Sequence, residues 1–192
     1  MNIQRNADSI VGKQAPEFIA DAIINGKVTR ISSLDFYGQF FMLFFYEADF
    51  SFVCPTEMHA LQAALPEFKQ RNVEILGASV DPIQAHMAWL KTPQNQGGIE
   101  GITFPLIADV NKSLSRAYYV LDEEAGSALR GTFLIDKNGI VQYGSVNSFQ
   151  IGRNVADLLR TIDALQFTQE HKELCPMDWA PGKTSILLSS HE

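Results

Sequence analysis

The sequence predicts an α/β domain: a mixed central sheet flanked by helices, with an N-terminal hairpin and a C-terminal tail. Three observations predict it. Residues 40–46, FFMLFFY, form an apolar and aromatic run too bulky for a surface strand, and apolar residues at helical spacing follow it. Strand-like and helix-like stretches alternate through the middle of the chain. Hairpin signals stand near both ends of that alternation. With 192 residues, 46% of them apolar and 19% charged, the chain amounts to one domain able to bury a core. It reads as a single domain over 1–192 with a tail over 167–192.

Ala15-Pro16-Glu17-Phe18 starts the ordered part. Residues 18–24 and 27–31 flank Asn25-Gly26, a pair that favours a tight hairpin. Ser32, Ser33 and Asp35 then mark a turn. Residues 40–46 form the central strand, and a helix is expected over 51–70 because Met58, Leu61, Leu65 and Phe68 share one face. Pro66 should kink or end that helix, since its ring clashes with the preceding turn. Residues 73–80, VEILGASV, read as a second buried strand. Asp81-Pro82 reads as an N-cap followed by proline at the first helical position, opening a helix through Leu90. Trp89 on that helix is expected in the core.

Residues 93–101, PQNQGGIEG, form a glycine-rich loop without the lysine or spacing of a phosphate loop. A short strand over 104–108 and a short helix over 112–119 follow. Residues 129–135 and 140–146 form two strands joined by the turn Asp136-Lys137-Asn138-Gly139. Asn154 and Asp157 cap a last helix with Val155, Leu158, Leu159, Ile162 and Leu165 on one face. From Phe167 onward periodicity is weak.

The chemistry concentrates at Cys54-Pro55-Thr56-Glu57. A buried strand runs into a loop, and the loop delivers Cys54 to the first turn of a helix. Pro55 fits there because first-turn N–H groups have no intrahelical partner. A cysteine so placed faces the positive end of the helix dipole, a setting that favours thiolate. The distinction matters, because a thiol of pKa about 8.5 is only ~3% ionised at pH 7, whereas one of pKa about 6 is ~90% ionised. The plainer alternative is a buried cysteine acting as a small hydrophobe.

The segment FFYEADFSFVCPTE resembles the active-site segment of the typical two-cysteine peroxiredoxins, the alkyl hydroperoxide reductase and thiol-specific antioxidant family, whose pattern is FYPxDFTFVCPTE. The resemblance runs from about Gly12 to Pro181. It departs at two positions: Glu47 stands where the family has proline, and Ser51 where it has threonine. The resemblance implies a thioredoxin-like fold and a thiol peroxidase that reduces hydrogen peroxide and organic hydroperoxides, with no metal or organic cofactor. It makes Cys54 the nucleophile. Arg130, within SALRGTF, becomes the partner of thiolate and peroxide; an arginine there is otherwise a solvated charge. Ser51 corresponds to the family threonine, and its hydroxyl, one helical turn from Cys54, is otherwise an N-cap. Glu57 matches a carboxylate that orients polar neighbours; it is otherwise a favourable acid in a first turn. Arg153, within VNSFQIGRN, resembles a second arginine near the site.

Cys175, within HKELCPMDW, looks like the family's resolving segment EVCPxxW. The implied resolving thiol attacks the sulfenic acid of a partner subunit, and a mobile tail suits that reach. The implied partners are a thioredoxin-type or flavoprotein disulfide reductase and a second copy of the chain, as a homodimer or a ring of dimers. A carboxylate near a thiolate disfavours it, so Glu47 is expected to weaken the site relative to proline. In members that over-oxidise easily, a GGLG loop and a C-terminal helix bearing Tyr-Phe cover the cysteine. Here the loop reads Gly97-Gly98-Ile99-Glu100, and no Tyr-Phe pair follows Cys175.

Other classes recede. A formal net charge of −7 argues against a nucleic-acid partner, which calls for a basic face. The polar start MNIQRNADS shows no secretory core, and no stretch approaches the ~20 apolar residues of a membrane span. The expected location is cytoplasmic, where structural disulfides are rare and the two cysteines gain redox weight. His59, His86, His171 and His191 lack ligand spacing, so no metal is expected, and they read as surface or partly buried residues. Two rival functions stay in view: an oligomeric chaperone or redox-signalling protein with incidental peroxidase activity, and a thiol–disulfide oxidoreductase, against which the lack of Cys-x-x-Cys counts.

Overall fold

The computed structural model describes residues 9–187. Seven strands form one mixed sheet in the order β2-β1-β5-β4-β3-β8-β9, and β6 and β7 form a separate two-stranded ribbon. The strands are β1 (Ile19–Ile24), β2 (Lys27–Ser32), β3 (Phe40–Phe45), β4 (Val73–Ser79), β5 (Leu106–Ala108), β6 (Leu121–Asp122), β7 (Ser127–Ala128), β8 (Arg130–Ile135) and β9 (Val141–Asn147). The helices are α1 (Cys54–Gln70), α2 (Ile83–Lys91), α3 (Ser113–Ala117) and α4 (Val155–His171).

β3 is the hub. It pairs in parallel with β4 and antiparallel with β8, and all six of its residues are buried. Alternate side chains point to opposite faces of a strand, so both faces of β3 must be covered. Phe40, Met42 and Phe44 pack with Met58, Leu61, Leu65 and Phe68 of α1, Trp89 of α2 and Leu158, Leu159 and Ile162 of α4. Phe41, Leu43 and Phe45 pack into the opposite cluster with Phe18, Leu114 of α3, Tyr118 and Phe133. That two-sided demand is why the run is continuously apolar rather than alternating.

The hairpin of β1 and β2 turns at Asn25 (φ 50) and Gly26 (φ 73), the left-handed pair that a two-residue turn of primed type requires. Ser32 and Asp35 make a reciprocal capping box on a 3₁₀ turn, Ser33–Phe36, where a simple turn is expected. Residues 93–101 fold against the end of α2. Trp89 Nε1 donates to Gly97 O at 2.9 Å, and a side chain at Gly98 would lie 1.9 Å from Thr92 O, so that position admits only glycine.

Three local expectations are corrected. α1 starts at Cys54 rather than 51, and it continues past Pro66 to Gln70. Proline therefore does not end it, since α1 is anchored on the sheet by residues on both sides of Pro66. Asp81 is not the cap of α2. The N-cap is Pro82, without a side-chain bond, because the Asp81 carboxylate instead accepts from Ser79 Oγ at 2.7 Å and Asp49 N at 2.9 Å. The last helix runs to His171, so Phe167 is helical and the tail begins later than 167. That tail is folded: Leu174 pairs with Ile186 in an antiparallel bridge, and Trp179, 2% exposed, packs on Phe167 with ring centroids 4.8 Å apart.

Candidate active site

The site assembles where β3 ends and the chain crosses to α1. Thr132 of β8 pairs with Phe44 of β3, so Arg130, two residues earlier, stands at the end of β3 and beside the start of α1. Cys54 is the first residue of α1, with Pro55 next to it, at the positive end of the helix. The first turn is tied by Thr56, whose hydroxyl donates to Val53 O at 2.6 Å. Both Cys54 and Arg130 are fully buried.

Arg130 Nη1 donates to the Cys54 sulfur at 3.1 Å and to Glu57 Oε2 at 3.0 Å. Its Nε and Nη2 donate to Phe149 O at 2.9 and 2.7 Å, and Nη2 also reaches Glu47 Oε2 at 3.5 Å. Burial works against the Arg130 charge. Cys54, Glu57 and Glu47 outweigh it and hold the guanidinium pKa above its ordinary value.

Glu57 is a hub between two arginines. Arg153 binds it from the backbone N–H at 2.9 Å, from Nε at 2.9 Å and from Nη2 at 2.8 Å. Arg153 Nη1 spans to Phe45 O at 2.7 Å and Gly131 O at 2.9 Å, and its guanidinium lies 3.4 Å from the centroid of the Phe44 ring. One side chain thus pins α1 to β3 and β8. Burial alone would raise the Glu57 pKa. Arg153, with Arg130 behind it, holds it below the usual carboxylate range. A single ion buried alone is far costlier than this paired set.

Ser51 is not on the helix, so it shares no helical turn with Cys54, and it is not a cap. The cap position is Val53, without a side-chain bond. The Ser51 hydroxyl is instead buried with no hydrogen-bond partner. It lies in a loop whose neighbour Phe50 adopts φ 58. Cys175 is not brought to Cys54. Its sulfur lies 3.7 Å from Ala164 O of α4, both cysteines are free thiols, and burial pushes the Cys175 thiol up, with Arg160 pulling it down and Glu173 adding to the rise.

Two features lie beyond sequence reasoning. The Phe149 carbonyl, which clamps Arg130, is a backbone atom with no signature in residue type. His86, expected at the surface or partly buried, is fully buried. Its Nδ1 lies 2.7 Å from Asp49 Oδ2 and its Nε2 3.2 Å from Ile107 O, while Tyr46 O–H donates to Asp49 Oδ1 at 2.9 Å. Burial, against the pull of His86, raises the Asp49 pKa. The cluster anchors the loop that carries Ser51. Residue order carried no signal for it: Asp49 stands between half-buried Ala48 and exposed Phe50, and His86 between half-buried Ala85 and Met87. His191 lies outside the described residues. Among the described residues, no helix is long and apolar enough to cross a membrane.

Chemically, the arrangement offers a sulfur beside a fixed cation, a carboxylate that holds that cation, and one free hydroxyl nearby. Residues 11–144 match the family model described as the AhpC/TSA family, and residues 164–192 match the C-terminal domain of 1-Cys peroxiredoxin. The chain is 44% identical over 176 residues to peroxiredoxin-2 of Bos taurus, covering 92% of this chain and 88% of that protein. It is 42% identical to a thioredoxin peroxidase of Echinococcus granulosus, covering 93% and 92%. The reduced 2-Cys peroxiredoxin of Plasmodium vivax superposes with a TM-score of 0.90 at 45% identity, covering 93% of each chain.

Proposed function

The chain belongs to the AhpC/TSA family and is a thiol-dependent peroxidase, and from that premise we propose that Cys54 is its nucleophile and that Arg130 serves both the thiolate and the peroxide. The observation that carries this is the 3.1 Å bond from Arg130 Nη1 to the Cys54 sulfur. A permanent cation fixed there is placed to stabilise negative charge on the attacking sulfur and on the leaving oxygen. The substrates are hydrogen peroxide and organic hydroperoxides.

The Cys54 thiolate attacks one peroxide oxygen. An S–O bond forms, the O–O bond breaks, and its electron pair leaves on the distal oxygen as hydroxide or alkoxide, which takes a proton to give water or an alcohol. Cys54 becomes sulfenic acid. Arg130, aimed at this point in advance, stabilises the developing charge. Ser51, with its buried hydroxyl unpartnered, has a free donor and acceptor for the peroxide. Glu57 and Arg153 are positioning residues: they hold Arg130 and the first turn of α1 against β3 and β8.

Cys175 then resolves the sulfenic acid. Its thiolate attacks the Cys54 sulfur, the S–S bond forms, the S–O bond breaks, and hydroxide leaves and takes a proton from solvent to give water. The Cys175 is that of a second copy in a homodimer, which can build a ring of dimers, and a thioredoxin-type or flavoprotein reductase restores both thiols. No metal or organic cofactor takes part. The compartment is the cytoplasm. Because Cys54 is fully buried, resolution requires the first turn of α1 to open and the tail to leave α4.

Peroxide consumption by the reduced protein in dithiothreitol tests the reading. Wild type should consume hydrogen peroxide catalytically and Cys54→Ser should not; equal consumption by both removes Cys54 from the chemistry.

A further inference from the structure

We propose that Glu47 makes the peroxide site charge-selective, so that it favours uncharged hydroperoxides and disfavours anionic ones. The proposal rests on the peroxidase reading above and names the substrate class of that same site.

A guanidinium has five N–H donors, and the bonds to Arg130 occupy all of them. Nη1 serves Cys54 and Glu57, Nε serves Phe149 O, and Nη2 serves Phe149 O and Glu47. The Glu47 contact is the longest, at 3.5 Å, and Glu47 is the more exposed of the two carboxylates, its side chain 36% exposed against 5% for Glu57. Glu47 is therefore the partner that a peroxide entering from solvent displaces or shares.

Charge counting sets the consequence. Arg130 and Arg153 supply two cations to the site. The Cys54 thiolate, Glu57 and Glu47 supply three anions. An uncharged residue at 47 would leave the cluster balanced; Glu47 leaves it net negative before any substrate arrives. The net charge of −7 on the whole chain adds to the same field. An uncharged hydroperoxide meets only a polar competitor for one N–H. An anionic peroxide meets a half-desolvated carboxylate at the place where it must bind, and like charges at such range disfavour one another.

The test compares hydrogen peroxide with peroxymonosulfate, which is an anion at neutral pH. In the second case the thiolate takes the terminal OH, the O–O bond breaks and sulfate leaves, so no proton is needed. Each probe is measured by stopped flow on wild type and Glu47→Gln, and only the variant-to-wild-type ratio is compared, which cancels the probes' different intrinsic reactivity. The expected result is a gain for peroxymonosulfate roughly ten-fold larger than that for hydrogen peroxide. On wild type alone, raising salt from 0.01 to about 1 M should speed the anion relative to hydrogen peroxide, because screening shortens the reach of Glu47; this arm does not depend on the variant's folding. Equal ratios for both probes, or a salt effect common to both, overturn the proposal while leaving the peroxidase reading intact. If wild type turns over no hydrogen peroxide, the underlying reading fails and takes the proposal with it.

Discussion

One nitrogen of Arg130 holds both Cys54 and Glu57: Nη1 lies 3.1 Å from the sulfur and 3.0 Å from the carboxylate, one N–H directed to each. The carboxylate fixes the guanidinium so that the second N–H of the same nitrogen points at the sulfur. The cation is thereby held in place before any substrate arrives, which is the condition for stabilising charge without reorganisation.

Arg130→Ala should slow peroxide reduction by at least about ten-fold, since it removes the cation from both thiolate and leaving oxygen. Ultraviolet thiolate absorbance at neutral pH should fall in parallel. Arg130→Lys should recover little, because one ammonium cannot span Cys54, Glu57 and Phe149 O together. An unchanged rate in Arg130→Ala would put the residue outside the chemistry.

Glu57→Ala should destabilise the fold by about 3–5 kcal/mol, since it leaves Arg153 buried without its carboxylate. The pH dependence has a definite sign. A carboxylate whose folded pKa is depressed contributes stability that is present above its unfolded pKa and is lost as pH falls through the folded one. The gap between wild type and variant in urea melts should therefore be full at pH 7 and shrink on acidification below the ordinary carboxylate range. A gap that does not change with pH would mean the loss is one of packing.

Much of this site was legible in residue order. Seven bulky residues ending in a loop and then Cys-Pro place a cysteine at a helix start with no further information. What could not be read depended on contacts between distant segments. Pro66 reads as a helix end because propensity is local, yet α1 is held on the sheet through Phe68 beyond it. Asp81 reads as a cap because capping is judged within one segment, yet Asp49, far away in the chain, donates to it. The burial of His86 and the clamp at Phe149 O arise only once β3, α2 and the loop after β9 meet.

Oxidised protein should run as a disulfide-linked dimer on non-reducing gels, and Cys54→Ser or Cys175→Ser should each abolish that species. Cys175 packs against α4 in its own chain, so the tail must detach first. Trp179→Ala, which removes the buried anchor on Phe167, should speed the appearance of the dimer. Oxidised wild type that stays wholly monomeric would rule out an intersubunit bond.

Over-oxidation should be slow. Among the described residues no helix follows α4, so no C-terminal helix covers the first turn of α1, and its local opening is opposed by the bonds of Cys54 and Glu57 to Arg130 and Arg153 rather than by a covering element. Disulfide formation should then outrun a second peroxide. Mass spectrometry of Cys54 during turnover at rising peroxide should show disulfide in large excess over sulfinic acid; abundant sulfinic acid at low peroxide, with Cys175 intact and reductant in excess, would contradict this.

The nucleophile itself is tested most directly by trapping. Reduced Cys175→Ser and Cys54→Ser proteins each receive one equivalent of hydrogen peroxide in the presence of a dione that captures sulfenic acid, and the adducts are mapped by mass spectrometry. The predicted result is near-complete labelling at Cys54 in Cys175→Ser and none at Cys175 in Cys54→Ser; labelling at Cys175, with Cys54 unlabelled, would contradict the assignment.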